Sequence, residues 1–512
     1  MAAMASPASL ASNLTAQQLA GLFPDWLRQS LARLQQRRAG RIYLAGGTVR
    51  DLLLGRSPQD IDLTIRADAR LLARELAALV GGTYVPLGRN EDAARVVHQG
   101  VTVDVSAFRE GATSFRQELG RRDLTINALG CCLSPLLGQG EGKGTGAGAG
   151  TGQPALIDPL GGLADLEQGR IRHAFQGAFQ EDPLRLLRVY RFAASLGFTI
   201  KGATTDLVQR QRQLIAAVAP ERIHHELDLI MASGRAAPTL SAMVDSGLFW
   251  ELLPELRAGQ GMAQPASHHL DVFGHSLEAL LQMEALLASP SCGYAPPRES
   301  LALYGRDPAN QLVLKWAALF HDVGKPRTHG IDQARGGRIT FYNHDQVGAA
   351  LFAGFAERYR WSSRAQRRVA RLISQHMRPF HLANVARQGP VSTKACIRLL
   401  ESLGEELAGL FLLAMADARA GQGSLRPEEM EAELGRLYDR LETVARENVA
   451  PVLEGEPLLT GRDLIGEFGL VPGPLFKVLL KAVTEARMEQ RVVSREQALA
   501  LVAELLAERE ES

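Results

Sequence analysis

The chain has 512 residues, too many for a single hydrophobic core, so roughly two to four domains are expected. Its 57 Lys+Arg against 56 Asp+Glu leave a net charge of +1, which excludes a global basic field and confines any nucleic-acid surface to a local patch. Four cysteines make neither a disulfide framework nor a metal-knuckle spacing, and no apolar run approaches the ~18 residues of a membrane span.

Residues 1–38 open with MAAMASPASLASNLTAQQL, which lacks the charged region and apolar core of a secretory signal, so a cytoplasmic protein without a membrane partner is expected. A flexible arm gives way to a helical pattern through Leu27, Leu31 and Leu34. From Arg41 the pattern becomes mixed, with strands expected near 42–45, 60–65, 94–98 and 101–107 and helices near 49–55 and 68–80. In VTVDVSAF the alternation sets Val101, Val103 and Val105 on one face and Thr102, Asp104 and Ser106 on the other. Adjacent Cys131 and Cys132 in an apolar stretch read as buried thiols. Residues 138–154, GQGEGKGTGAGAGTGQP, cannot bury apolar surface and read as a disordered surface loop. Beyond Asp165 strand signals nearly vanish, and segments such as LRLLRVYRFAASL, ERIHHELDLIMAS, NQLVLKWAALFHDVG and RRVARLISQHM repeat at three and four. Breaks rich in Pro and Gly fall near 254–266, 290–308 and 451–462. The expected class is α+β, an α/β head followed by a long helical remainder.

The chemistry concentrates between Leu44 and Thr64, LAGGTVRDLLLGRSPQDIDLT. Asp60 and Asp62 are two apart on an expected strand, so their side chains share a face, about 6–7 Å apart. Carboxylates so placed can hold a pair of divalent cations ~3.5–4 Å apart, the arrangement of in-line phosphoryl displacement. Gly46 and Gly47 let the backbone approach a phosphate, directly before a helix start that carries Arg50 and Asp51. A lone D-x-D is also what a solvated strand end carries, and a lone Gly-Gly is usually a turn; their order and closeness select the catalytic reading.

The whole string resembles the head-domain signature of the class II nucleotidyltransferases, the family of tRNA CCA-adding enzymes and bacterial poly(A) polymerases. Three further motifs agree. Arg121-Arg122-Asp123-Leu124-Thr125-Ile126-Asn127-Ala128 is similar to the family's RRDFTINA string, and the resemblance implies that Arg122 contacts phosphates and Asp123 the ribose, with Asn127 in the same nucleotide-binding set. Asp158-Pro159-Leu160-Gly161-Gly162 with Asp165-Leu166 matches the DPxGGxxDL segment, a turn to which no chemistry is assigned. Glu181-Asp182-Pro183-Leu184-Arg185 matches the EDxxR segment, which continues through Arg188 and Arg191. On a helix Asp182 and Arg185 would share a face. They form either an ion pair worth tenths of a kcal/mol or, as the resemblance implies, a protein template that selects C or A. Asp104 reads either as a third catalytic carboxylate, as polymerase-like folds often carry, or as a strand-edge aspartate. The implied cofactor is Mg²⁺ on Asp60 and Asp62, because carboxylates and phosphate oxygens are hard ligands.

A second constellation lies in the helical remainder. LKWAALFHDVGKP delivers His321 and Asp322 side by side at the end of an apolar helix that breaks at Gly324 and Pro326. His275, His344, His376 and Asp417 lie on separate segments, and imidazoles with carboxylates on facing helices make a first-row metal site. The series resembles the HD phosphohydrolase superfamily, which implies a divalent metal of unspecified identity and hydrolysis of phosphoesters such as 2′,3′-cyclic or terminal phosphates on RNA ends. His224, His225, His268 and His269 read as ordinary core or surface histidines.

The resemblance covers residues 40 to 505. It implies a polymerase-β-like nucleotidyltransferase head over 39–172 after the 1–38 arm, a helical neck over 173–265, an HD domain over 266–425 and a helical tail over 426–512. The implied activity is template-independent addition of C and A to the tRNA 3′ end from CTP and ATP. The linker from Phe108 to Arg121 is shorter than the flexible loop of full CCA-adding members, so CC-adding and A-adding activities stay open. A poly(A) polymerase, and an HD hydrolase with an inert head, are the other readings.

Overall fold

Residues 14–38, 40–88, 91–109, 111–137 and 154–510 are described by the computed structural model, so the arm over 1–13 and the glycine-rich insertion over 138–153 lie outside the described residues. Contacts divide the chain into two units, one of Met1–Arg235 with Ala242–Leu252, the other of Ala236–Ser241 with Leu253–Ser512.

The first unit is built on a seven-stranded sheet. Its strands are β1 (Tyr43–Ala45), β2 (Asp60–Ile65), β3 (Thr83–Pro86), β4 (Ala93–His98), β5 (Val101–Ala107), β6 (Gly130–Cys132) and β7 (Leu156–Ile157), in the order β3-β4-β5-β2-β1-β6-β7. β2 and β5 run parallel, with Asp60 opposite Thr102 and Asp62 opposite Asp104. Ile61, Leu63, Val103 and Val105 are buried, and the Ala69–Val80 helix packs on the sheet through Leu72 and Leu76. Strand alternation therefore turns Asp60, Asp62 and Asp104 to the other face.

The strands expected from alternation are present, and the two expected helices span Gly47–Leu53 and Ala69–Val80. Three strands of this sheet were not anticipated. β3 is a sheet-edge segment that ends in Pro86 and carries no alternating apolar pattern, as edges tolerate. β6 and β7 have three and two residues, too few for any period to register.

One expectation fails for a clear reason. Asp182 and Arg185 do not share a helix: the Ala178–Glu181 helix ends before Asp182, whose backbone is extended (φ −145°, ψ 101°), and the next helix is Arg185–Leu196. The ring of Pro183 disfavours the α region for the residue before it, so the chain breaks at Asp182.

The second unit is mainly helical. Val272–Ala288, Pro308–Phe320, His344–Arg358, Ser363–Gln375 and Leu407–Ala420 pack around a buried aromatic cluster of Trp316, Phe320, Phe352 and Phe355. The apolar helix stops at Phe320, leaving His321 and Asp322 in the turn that follows. Strands are not absent beyond Asp165: His329–Asp332 pairs antiparallel with Arg338–Phe341, and in the first unit Arg170–Ile171 pairs with Thr199–Ile200. Strands this short leave no readable alternation. Near the C-terminus Leu464, Leu479, Val483, Ala486, Ala498 and Val502 form an apolar cluster of their own. No described helix is long and apolar enough to cross a membrane.

Candidate active site and metal centre

The glycine pair, the short helix after it and β2 are locked together by one hydroxyl. Thr48 Oγ1 donates to the Asp60 carbonyl (3.1 Å) and accepts from the Asp62 amide (2.8 Å). Gly46 sits at φ +70°, and a Cβ there would collide with the Arg122 guanidinium. Glycine is needed at this position both for the backbone angle and for the approach of that cation. Burial raises the Asp62 carboxyl above its usual range; the Arg122 charge opposes this and the Asp104 charge adds to it.

Asp104 stands opposite Asp62, but both of its oxygens accept from Arg95, at 2.8 Å each. Arg95 also lies 3.6 Å from Asp60. Sequence reasoning missed Arg95, although a signal was present. Gln99 and Gly100, both at positive φ, form a two-residue hairpin loop that sets His98 opposite Val101, and counting back sets Arg95 opposite Asp104.

A cleft of about 710 Å³ is lined by Gly47, Arg50, Asp60, Asp62, Arg122, Asp123, Asn127, Asp182, Arg185, Arg188 and Arg191, so most of the sequence-predicted residues meet in one place. Gly46 lies beneath it under Arg122, and Asp104 stands behind Arg95. The arginines are held by a buried relay. Arg50 donates to Asn127 (2.7 Å), Asn127 to Asp123 (3.0 Å) and Arg188 to Asp123 (2.7 Å). Asp123 thus spends both oxygens inside the protein; burial alone would raise its carboxyl, but Arg188, Asn127 and the Leu124 amide hold it well below the usual range. Arg191 pairs with Glu226 at 2.7 Å. The Phe192 ring, also missed from sequence, supports the guanidiniums of Arg191, Arg50 and Arg188 at 3.9, 4.8 and 5.3 Å. Asp182 pairs with Arg222 (3.1 Å) rather than with Arg185, whose guanidinium donates to the Ala178 carbonyl.

This arrangement fits hard cations beside an anionic ligand. Asp60 and Asp62 offer only oxygen donors, and the raised Asp62 carboxyl is relieved by positive charge. The wall of arginines suits a polyphosphate.

In the second unit six predicted residues converge. His275, His321, Asp322 and Asp417 form one half of a cluster: His275 lies 3.0 Å from Asp417, and His321 lies 3.3 Å from Asp322. His344 and His376 form the other half, 3.4 and 3.7 Å from the second oxygen of Asp322. The two Asp322 oxygens therefore divide between two histidine pairs. His321, His344 and His376 each place Nδ1 at 2.7–2.8 Å from a backbone carbonyl, which fixes the N–H there and turns the Nε2 lone pair inward. The Nε2 atoms of His344 and His376 are 3.1 Å apart, and those of His275 and His321 3.3 Å. Ligand atoms this close would hold divalent cations, and Asp322 belongs to both the His275–His321 and the His344–His376 group.

Electrostatics agree. Burial would lower His321, but Asp322 and Asp417 outweigh it and raise the imidazole to about 9, so its Nε2 position favours a positive charge, a proton or a metal ion in its place. Lys325 donates to Asp322 at 2.5 Å. Gly324 is required by contact, since a Cβ there would lie 2.6 Å from the Gly348 amide, which brings the His321–Asp322 turn against the His344 helix. His268, expected to be ordinary, instead stands edge-on to His275 at 4.7 Å and within ligand reach of His275 and Asp417. It precedes its helix, where no periodic pattern marks it.

Comparison with known proteins found three family matches along the chain. The family described as "Poly A polymerase head domain" matches residues 42–172, "Probable RNA and SrmB- binding site of polymerase A" matches 197–259, and "HD domain" matches 272–421. An A-adding tRNA nucleotidyltransferase of Deinococcus radiodurans is 34% identical over 90% of this chain and 94% of its own. A CC-adding tRNA nucleotidyltransferase of Thermus thermophilus is 31% identical over 89% and 92%. Among solved structures, a CCA-adding enzyme in complex with ATP shares the fold at TM-score 0.62 and 18% identity, over 97% of each chain. The Thermotoga maritima CCA-adding enzyme complexed with tRNA does so at 0.60 and 17%, over 96% and 98%.

Proposed function

Because the chain belongs to the tRNA nucleotidyltransferase family, we propose that its head transfers CMP and AMP from CTP and ATP to the 3′ end of tRNA without a nucleic-acid template. The observation that carries this reading is the pair Asp60 and Asp62 on one face of β2, opening on the same cleft as Arg50, Arg122, Arg188 and Arg191. Asp60 and Asp62 would hold Mg²⁺, which when bound supplies activation of the terminal hydroxyl and neutralisation of the leaving pyrophosphate. Thr48 holds the two carboxylates in register, and Arg122 with the arginines on Phe192 receives the triphosphate. Asp123 orients Arg188 from behind. Asp182 and Arg185 present a carboxylate and a guanidinium to the base edge, and Arg95 with Asp104 stiffens the strand beside Asp62.

The proposed division is the head at 39–172, the neck at 173–265, the HD domain at 266–425 and the tail at 426–512, in a cytoplasmic protein. The HD match and the two histidine pairs around Asp322 support a second activity, metal-dependent phosphoester hydrolysis with a first-row divalent ion.

A narrower product range has one observation in its favour. The short Phe108–Arg121 linker is tied down, since Arg109 donates through its amide (2.8 Å) and guanidinium to the buried Glu118. A tethered linker suits a single-nucleotide specialist such as an A-adding enzyme. The test is extension of tRNA transcripts lacking CCA, CA or A, each with CTP, ATP or both. Extension that stops on completing CCA supports the proposal, and extension of the CC-ending transcript alone selects the A-adding form. Addition of more than three residues indicates poly(A) synthesis, and no extension of any transcript overturns the assignment.

A further inference from the structure

The cavity above the metal cluster has a rim that neither the nucleotidyl-transfer site nor the metal ligands use. Its volume is about 600 Å³, with Asp322, His344 and Asp417 among the residues that line it and Arg338, Tyr342 and Arg378 lining it too. Among the described residues neither the Arg338 nor the Arg378 guanidinium has a hydrogen-bond or ion-pair partner, and both are exposed. The third arginine lining this cavity is spent: Arg426 is bound to Glu431 and to the Ala418 carbonyl. Tyr342 is 65% exposed, although His344, two residues on, is buried. Asn343 between them sits at φ +61°, a left-handed conformation that asparagine tolerates, and this reversal sends one ring outward and the other into the histidine–aspartate cluster.

Both rim features are tethered close to the cluster. Arg378 follows His376 by two residues and Tyr342 precedes His344 by two, so each Cα lies within about 7 Å of a metal-ligand Cα. Arg338 enters from the other strand end of the same ribbon.

We infer that Arg338, Arg378 and Tyr342 form a strand-reading rim, so that the cavity binds the 3′ end of a single-stranded oligonucleotide rather than an isolated phosphomonoester or a mononucleotide. The inference rests on the hydrolase reading of the cluster and adds to it the residues that choose the substrate. The terminal phosphate lies over the metals, the preceding internucleotide phosphates pair with the two unspent guanidiniums, and a base stacks on the Tyr342 ring. A mononucleotide reaches the metals but leaves both arginines without an anion.

The test uses the metal-replete full-length protein and a 5′-fluorescein trinucleotide ending in a 3′-methylenephosphonate, which cannot be hydrolysed, with binding read by anisotropy. The double variant Arg338→Ala/Arg378→Ala should weaken binding and flatten the slope of log Kd against log salt by about 1.4, the release expected for two phosphate contacts to a single strand. Tyr342→Ala should weaken binding roughly tenfold, the scale of one stacked base, and Tyr342→Phe should restore it. The head is the same in every protein, so a loss is read at this cavity. Equal binding and equal salt slope in wild type and double variant overturn the rim. A nucleoside 3′,5′-bisphosphate that competes as well as the trinucleotide overturns the strand assignment. Release of phosphate from p-nitrophenyl phosphate is followed separately: its absence removes the hydrolase reading, whereas the binding result still decides the rim.

Discussion

Arg95 grips both oxygens of Asp104 at 2.8 Å, in register directly beside Asp62, so the third carboxylate of the sheet already has its cation. Asp62 has none so close, and burial lifts its carboxyl. The two aspartates should therefore respond differently to mutation. Asp62→Asn should abolish nucleotide incorporation. It should also raise the thermal midpoint in magnesium-free buffer at pH 7–8, because a folded-state pKa above the unfolded value disfavours the folded state once the group is ionised. Asp104→Asn should retain activity at about 10⁻² of wild type, the scale of a misplaced rather than a missing group. Gel extension assays and scanning fluorimetry check both.

Thr48 makes a sharper test, since it touches no expected substrate. Thr48→Ala leaves the Asp62 amide without its acceptor, which should cost about 1 kcal/mol in urea unfolding and lower kcat with little change in KM for tRNA. Thr48→Ser, which keeps the hydroxyl, should restore both.

The Asp123–Arg188 pair predicts a pH signature. The Asp123 carboxyl is held below its unfolded value of about 3.9, so its contribution to stability is fully present above that pH and is lost as the pH falls below it. Asp123→Asn should be less stable than wild type by about 3 kcal/mol at pH 7, because Arg188 keeps only the more distant Glu226 as an ion-pair partner. The gap should narrow when urea unfolding is repeated between pH 4 and pH 2.

Metal content should follow the division of Asp322. His376→Ala removes a ligand from one half of the cluster only, and elemental analysis should find about one metal per chain against about two in wild type. Asp322→Ala removes the bridge and should leave close to none. A single metal in wild type, unchanged by His376→Ala, would contradict the paired arrangement.

What the sequence made legible was whatever depends on local period. Asp60 and Asp62 share a face because a strand repeats every two residues, and the apolar helices of the second unit announced themselves at three and four. The histidines at 275, 321, 344 and 376 were found because short distinctive strings carry them. Contacts made between distant segments were hidden: Phe192 meets Arg50 across more than a hundred residues, and His268 approaches Asp417 from a loop. The extended Asp182 is a different case. Pro183 stood beside it in plain view, and its steric rule was outweighed by the helical pattern that follows.

That proline makes the carboxylate proposed to face the base the end of a jointed arm rather than a stud on a rod. With a residue at 183 that permitted continuous winding, each position would advance about 100° around a common axis, and Asp182 would be carried off its bearing without either reading side chain being altered. On the proposed base-reading role of Asp182 and Arg185, the choice between C and A would rest partly on the stiffness of the one tertiary amide before Pro183.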